Sequence, residues 1–440
     1  MLRIIDLRGH SLSAADLLAA VPRAQAARAD ALAAAGQIVL DVAARGEAAL
    51  REQADRFDRV QGHAIRVPAS HLDDALAQLD PAVRAALEES IRRVRIASRA
   101  QVPAPVVTEI AAETGGGAAS GRIEQRWQPV RRAGVYVPGG KAVYPSSVVM
   151  NVVPAQIAGV GQVALASPPQ AAFSGRVHPD ILAAAKLLGI DEVYAMGGAG
   201  AIGAFAHGVA SFGLDPVDVV TGPGNNFVAA AKRAVAGLVG VDAEAGATEI
   251  LIVADEAADA TLIAVDLISQ AEHDEQASAV LVTDSPELAG RVHSEVAARV
   301  AATRNGARAG EALDGVQSAI VLVDDQDAAA AFTNAYAPEH LELHVADPRP
   351  ERFVNAGAIF VGAYSPVSLG DYLAGSNHVL PTGGQARYAP GLSAATFLRP
   401  QQVITYGRDA LADVVDHIVA LAEAEALPAH GEAVTARFAG

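Results

Sequence analysis

The stretch YAPEHLELH, Tyr336 to His344, sets Glu339 beside His340 directly after a proline. A carboxylate and an imidazole differ in ordinary basicity, so two such groups at one centre can serve successive proton transfers. Beyond them Leu341, Leu343 and Val345 alternate with Glu342 and His344. That is the period of a strand with one buried face, so the pair should stand where a loop enters a strand. Gln270 and His273 lie three apart near the end of an amphipathic helical pattern and should project from one face. Their neighbours Glu272, Asp274 and Glu275 make the local field negative, which suits a divalent cation. Asp371 and His378 sit in SPVSLGDYLAGSNHVLPTGG, a loop rich in Gly, Ser and Pro that reads as functional or merely exposed. His430 lies in the tail, where a surface position is the ordinary reading. Oxygen and nitrogen donors without sulfur suit zinc in a catalytic site, or manganese. The chain has no cysteine. Disulfides and thiolate ligands are therefore excluded, and no oxidation here can pass through a cysteine thiohemiacetal.

Three glycine turns add a second kind of site. GGAGAIG contains a literal G-x-G-x-x-G at Gly198, Gly200 and Gly203, between a strand pattern and a helix pattern. Glycine there would let the backbone approach a pyrophosphate at the helix N-terminus. The acidic residue expected at the end of the following strand is missing; Asp215 and Asp218 precede that strand instead. TGPGNN (221–226) and VYVPGGKAVYPSS (135–147) are further turns of this type, the latter with Tyr136 and Tyr144 available to stack or hydrogen-bond. Each alone is a tight turn; three at strand ends in one region favour a ligand crevice.

The elements that must position these residues repeat in order. VALASP, HPDILAAAKLLGI, DEVYAM, AIGAFAHGV and DVV alternate strand and helix, and so do EILIVAD, TLIAVDLISQAEHDE, SAVLVTD, PELAGRVHSEVAARVAA and SAIVLVDD. Alternation of this length predicts parallel, doubly wound sheets in two tandem α/β units. Residues 1–30 read as an arm and TGGGAASG (114–121) as punctuation, with RIEQRWQPV (122–130) alternating like a strand. From about residue 393 the chain reads as short helices and a tail.

At 440 residues the chain can hold two or more domains. No apolar run approaches the roughly 20 residues of a membrane helix, and the N-terminus lacks an apolar core of signal-peptide length, so a cytoplasmic protein is expected. A formal net charge of −17 argues against a nucleic-acid partner. Arg92, Arg93 and Arg95 read as a solvated helix face.

Taken together, SQAEHDEQ, YAPEHLEL, GDYLAGSNHVLPTGG, VYVPGG and TGPGNNFVAAAKR resemble the histidinol dehydrogenase family, in matching order and spacing over nearly the whole chain. The resemblance implies two incomplete Rossmann-like domains with a short N-terminal arm and a small C-terminal helical tail: 1–30 as arm, 31–135 and 248–392 as the domain carrying metal and catalytic residues, 136–247 on the cofactor side, and 393–440 for dimerisation. It implies NAD- and zinc-dependent oxidation of L-histidinol through histidinal to L-histidine. It places metal ligands on Gln270, His273, Asp371 and His430, and the acid/base pair on Glu339 and His340. Substrate contacts fall on Thr248, Gln270, His273, His340, Asp371, His378, Glu425 and His430. Cofactor contacts fall on Tyr136, Gly200 and Asn225. His430 and Glu425 would come from the partner in a homodimer. Two departures bear on cofactor affinity: Gly200 replaces a glutamine usual in the family, and Ala247 replaces a proline in the segment Ala245–Gly246–Ala247–Thr248–Glu249. The residues leave room for a related dehydrogenase of another small polar alcohol, a metal-dependent hydrolase, or a silent binding protein of the same fold.

Overall fold

The computed structural model describes residues 2–23, 28–111, 120–139, 143–243 and 246–439. Most of the glycine stretch 114–121, the centre of the turn after Tyr136 (residues 140–142) and Ala245 lie outside the described residues. The chain forms two units: Met1–Gln101 with Val130–Phe397, and Val102–Pro129 with Leu398–Gly440.

The first unit holds two parallel sheets. The larger has six strands in the order Arg3–Asp6, Ala319–Leu322, Ser278–Thr283, Glu249–Ala254, His340–His344 and Ala358–Val361, every pair parallel. Its strand Glu249–Ala254 reads EILIVA, continuously apolar after Glu249, because helices cover both faces. Ile250, Ile252 and Ala254 face one core with Ile263 and Leu267. Leu251 and Val253 face the other with Phe332, Leu341 and Leu343. The neighbouring strand His340–His344 is buried at all five positions rather than on one face as expected. Its alternation marks two different packed environments, not core against water.

The second sheet has five parallel strands: Val193–Ala195, Gln162–Ser167, Arg132–Tyr136, Val219–Thr221 and Gly240–Val241. Helices Arg28–Arg45, Gly198–His207 and Asn226–Val235 close its core, where Ala35, Val39, Val42 and Leu50 meet Tyr136, Phe205 and Val228. The apolar spacing at 35, 39 and 42 gives that N-terminal helix one buried stripe. A Cβ on Gly203 would come 3.2 Å from the Cα of Val39, so this glycine lets two helices approach. Strand Arg132–Tyr136 lies in this sheet and Ala35, Val39, Val42 and Leu50 pack on it, all but Tyr136 from the stretch 31–135 expected from sequence to belong with the catalytic residues. The expected arm is likewise part of a sheet: Arg3–Asp6 pairs with Ala319–Leu322.

The second unit is an antiparallel sheet, Leu398–Thr405, Ser120–Pro129 and Val106–Ala111, with helices Val415–Ala424 and Pro428–Thr435. The tail therefore opens on the short 3-10 turn Ala394–Phe397 and then runs as an eight-residue strand before its further helices. That strand has no fully buried position, so its sequence carries no period-two signal. Arg92 and Arg93 pair with Glu89 on their own helix, as a solvated face should. No described helix is long and apolar enough to cross a membrane.

Candidate active site

A cavity of about 1270 Å³ is lined by residues from both sheets of the first unit. A single small ligand ordinarily occupies ~300–1,000 Å³, so there is room for two. Turns at the carboxyl ends of the five-stranded sheet contribute Tyr136, Pro168, Gly197, Gly198 and Asn225. From the six-stranded sheet come Thr248, Glu339 and His340, at the amino ends of two adjacent strands.

Glu339 and His340 stand where the sequence placed them. Helix Gln326–Tyr336 stops at Ala337, which takes the left-handed conformation (φ 53), and Pro338 then turns the chain into the strand. Glu339 Oε2 accepts hydrogen bonds from the Thr248 hydroxyl (2.6 Å) and the Glu249 backbone N–H (2.9 Å). Burial pushes this carboxyl up to about 7, against the opposing pull of His340 and the two donors. His340 Nδ1 lies 3.0 Å from the Glu249 carbonyl oxygen and 3.5 Å from Glu339 Oε2. A carbonyl only accepts, so Nδ1 carries a hydrogen, and in the neutral ring Nε2 is the nitrogen with the lone pair. Nε2 is enclosed and meets no partner among the described residues. The result is an imidazole whose Nε2 faces no protein partner among the described residues, beside a carboxyl that burial raises to about 7.

Gln270, His273 and Asp371 line the same cavity. Helix Ala260–Ala271 ends before His273, which the sequence reading put on the helix; a turn with His273 N–H on the Gln270 carbonyl keeps the two together. Gln270 Nε2 donates to Thr248 Oγ1, which fixes the amide and leaves its oxygen for a ligand. Burial holds the His273 imidazole below its usual range against the pull of Asp371, so it is neutral and its lone pair is free. Amide oxygen, imidazole nitrogen and carboxylate oxygen fit a catalytic zinc or manganese. Thr248 therefore joins the donor set to Glu339 through one hydroxyl. His378 donates from Nδ1 to the Asp371 carbonyl (2.9 Å), so its Nε2 accepts from Ser147 (3.0 Å). Burial lowers its pKa too. His430 and Glu425 belong to the second unit and are exposed there.

On the wall formed by the five-stranded sheet, the Tyr136 hydroxyl accepts the Gly198 backbone N–H at 3.1 Å, at the start of helix Gly198–His207. Asn225 caps the next helix, its Oδ1 accepting from Phe227 and Val228, so its NH2 is the group that can meet a ligand. The turn between them is held from behind by the buried ion pair Lys232–Asp242 (2.5 Å), with Asp242 accepting from the Gly222 N–H. Gly200 does not line the cavity. A Cβ there would fall 1.9 Å from Gln53 Oε1, and it is Gln53 that forms the wall. Gly200 and Gly203 pack against other elements, so the literal G-x-G-x-x-G does not act as a unit.

Several working residues carried no local signal. Arg23, from the expected arm, binds Glu249 (2.6 Å) and lies 4.0 Å over the Tyr336 ring. It ties the strand start beside Thr248 to the helix end before Glu339. Ser147, which donates to His378, is a similar case, whereas Tyr144, expected from sequence to stack or hydrogen-bond, stacks on His273.

A second cluster, Asp266, Glu342 and His344, brings ligand-type atoms within 4.8 Å of one another but stands apart from the cavity wall. Glu342 is already met by His344 Nε2 (3.2 Å) and by the Val367 N–H (2.8 Å). Burial, then the Glu342 charge, pushes the Asp266 carboxyl up to about 7. A carboxyl raised on folding binds a proton that the unfolded chain lacks, so stability falls as pH rises toward that value. Asp266→Asn should therefore flatten the decline in denaturation midpoint between pH 5 and 8 and raise the midpoint at pH 8. Parallel wild-type and variant curves would show that Asp266 does not titrate there.

Fold and site together define a class: an α/β protein whose two parallel sheets share a cavity with a buried Glu–His pair and nitrogen and oxygen donors on one wall and glycine turns at strand ends on the other. The family model for histidinol dehydrogenase matches residues 21–438. The histidinol dehydrogenase of Leifsonia xyli subsp. xyli is 62% identical over 99% of this chain and 99% of its own length. That of Thermobifida fusca is 57% identical over 99% and 97%. The crystal structure of histidinol dehydrogenase from Elizabethkingia anophelis superposes with a TM-score of 0.88 at 30% identity, covering 99% of this chain and 98% of that one. The chain belongs to the histidinol dehydrogenase family.

Proposed function

We propose that the chain oxidises L-histidinol through L-histidinal to L-histidine with NAD, using a metal held by Gln270, His273, Asp371 and a partner subunit's copy of residue 430. The observation that carries this is the pairing on one cavity wall of a base with a single free nitrogen, His340, and a carboxyl titrating near 7, Glu339. When bound, NAD supplies the hydride acceptor for each oxidation, and the metal a template and Lewis acid for the substrate.

The chain's own groups do the rest. His340 Nε2 takes the proton of the alcohol as its carbon loses hydride, giving the aldehyde. With no cysteine to capture it, the aldehyde must add water. Glu339, ionised, takes a proton from that water as its oxygen bonds to the aldehyde carbon, then returns it to the former carbonyl oxygen, giving the hydrate. His340, having lost its first proton to solvent, then takes one from the hydrate as a second hydride leaves, giving the acid. Thr248 and the Glu249 N–H hold the Glu339 carboxylate in place throughout.

Homodimerisation belongs to the same reading. His430 and Glu425 are exposed, and Leu421 and Leu427 beside them leave 65% and 43% of their surface open. An apolar face next to polar site residues suits docking on a second copy. The cheap discriminating experiment is NADH absorbance on adding histidinol, NAD and zinc. Exhaustive chelation should abolish the signal while far-ultraviolet circular dichroism stays unchanged, and zinc should restore it. Full activity of metal-free protein would refute the metal; no NADH at all would leave the hydrolase reading.

A further inference from the structure

Helix Glu47–Gln53 does not stop at its last residue but widens into a π-turn, Ala54–Asp58, closed by Arg59 in the left-handed conformation (φ 57). In a π-turn the hydrogen bonds span five residues, so residues five apart share a side, and such turns recur at functional sites. Gln53 and Asp58 are such a pair, and both stand on the cavity wall. Neither is satisfied by the protein. Gln53 Nε2 is enclosed without a hydrogen-bond partner among the described residues. The Asp58 carboxyl is pushed up to about 6 by burial alone, with no hydrogen bond or cation among the described residues set against it. A half-buried carboxylate left this way calls for a donor from outside the chain.

The place of Asp58 says what kind of donor. Its charge acts on Tyr136, whose hydroxyl accepts the Gly198 N–H at the start of helix Gly198–His207. A dinucleotide pyrophosphate seated on that turn would place its adenosine ribose in the same cavity whose wall carries Asp58. Phe57, 58% exposed on the same wall, offers a flat face for the attached base. The strand that follows this helix lacks the acidic residue expected to read the ribose; here the carboxylate arrives from a distant part of the chain.

We infer that Asp58 is the ribose-reading residue of this site: it accepts the hydroxyl hydrogens of the adenosine ribose and repels a 2′-phosphate, making the chain selective for NAD over NADP. The inference rests on the NAD reading above. Arg56 lies with its guanidinium 5.0 Å over the Phe57 ring. With Asp58 neutralised, Arg56, which lines the same cavity, is a cation available to a 2′-phosphate.

Calorimetric titration of the full-length, zinc-loaded protein with NAD and with NADP tests this without turnover. The wild type should bind NAD at least ~10-fold more tightly than NADP. Asp58→Asn should weaken NAD by roughly 10- to 100-fold, the range of a charge-assisted hydrogen bond, and strengthen NADP. Asp58→Ser, shorter and neutral, should lose the preference in the same way, which keeps the test valid if one variant folds poorly. Asp55→Asn removes a charge of the same segment that is bound to Gln61 and should leave the ratio unchanged. A wild-type NAD-to-NADP ratio in both position-58 variants overturns the inference. A wild-type protein that binds no NAD overturns the underlying NAD reading as well, so the two failures are distinguishable.

Discussion

Glu339→Gln protein, given histidinol, excess NAD and an aldehyde trap in a single turnover, should release a burst of one NADH per site and then stall. The amide keeps the size of the side chain and can still accept from Thr248 and the Glu249 N–H, which hold the carboxylate in place. It cannot take a proton from water, so hydration of the aldehyde loses its base and the second oxidation should slow by roughly 10²–10⁴-fold. His340→Gln should instead slow both phases, because both hydride transfers need a proton removed from oxygen. The pH dependence carries a second check. Glu339 must be ionised to act, and burial holds it up to about 7, so the second phase should rise with pH through that value. Thr248→Val removes a hydrogen bond that favours the carboxylate and should move that rise to higher pH. Equal slowing of both phases in Glu339→Gln would mean that the carboxylate only positions His340.

The second large effect concerns the shared site. His273→Ala and His430→Ala proteins should each be inactive, since each removes a proposed metal ligand. Mixed under subunit exchange, they should recover about a quarter of wild-type activity: half the dimers are mixed, and each has one intact site of two. Mixed dimers without activity would place residue 430 in its own subunit's site or outside the metal shell. Metal content of the separate variants distinguishes those two outcomes. The exposure of His430 on the second unit, against the buried surroundings of His273, motivates the test.

Local chemistry written into contiguous residues was legible in the sequence. The strand–helix alternation gave the two parallel sheets, because a parallel strand covered on both sides must be apolar throughout and its crossover helix must be amphipathic. Glu339 and His340 were legible because Pro338 and the alternating residues beyond it fix a loop-to-strand junction within nine residues. Tertiary structure decided whatever depends on partners far along the chain. Glu342 and His344 look solvent-facing by period, yet helix Ala260–Ala271 covers that face and joins them to Asp266. The strand Leu398–Thr405 has no apolar period, since pairing with residues 122–129 rather than burial makes it a strand. The basicity of Glu339 and the tautomer of His340 were likewise out of reach. Both are set by burial and by Glu249 and Thr248, some ninety residues earlier, whose positions in space exist only once strands Glu249–Ala254 and His340–His344 lie side by side.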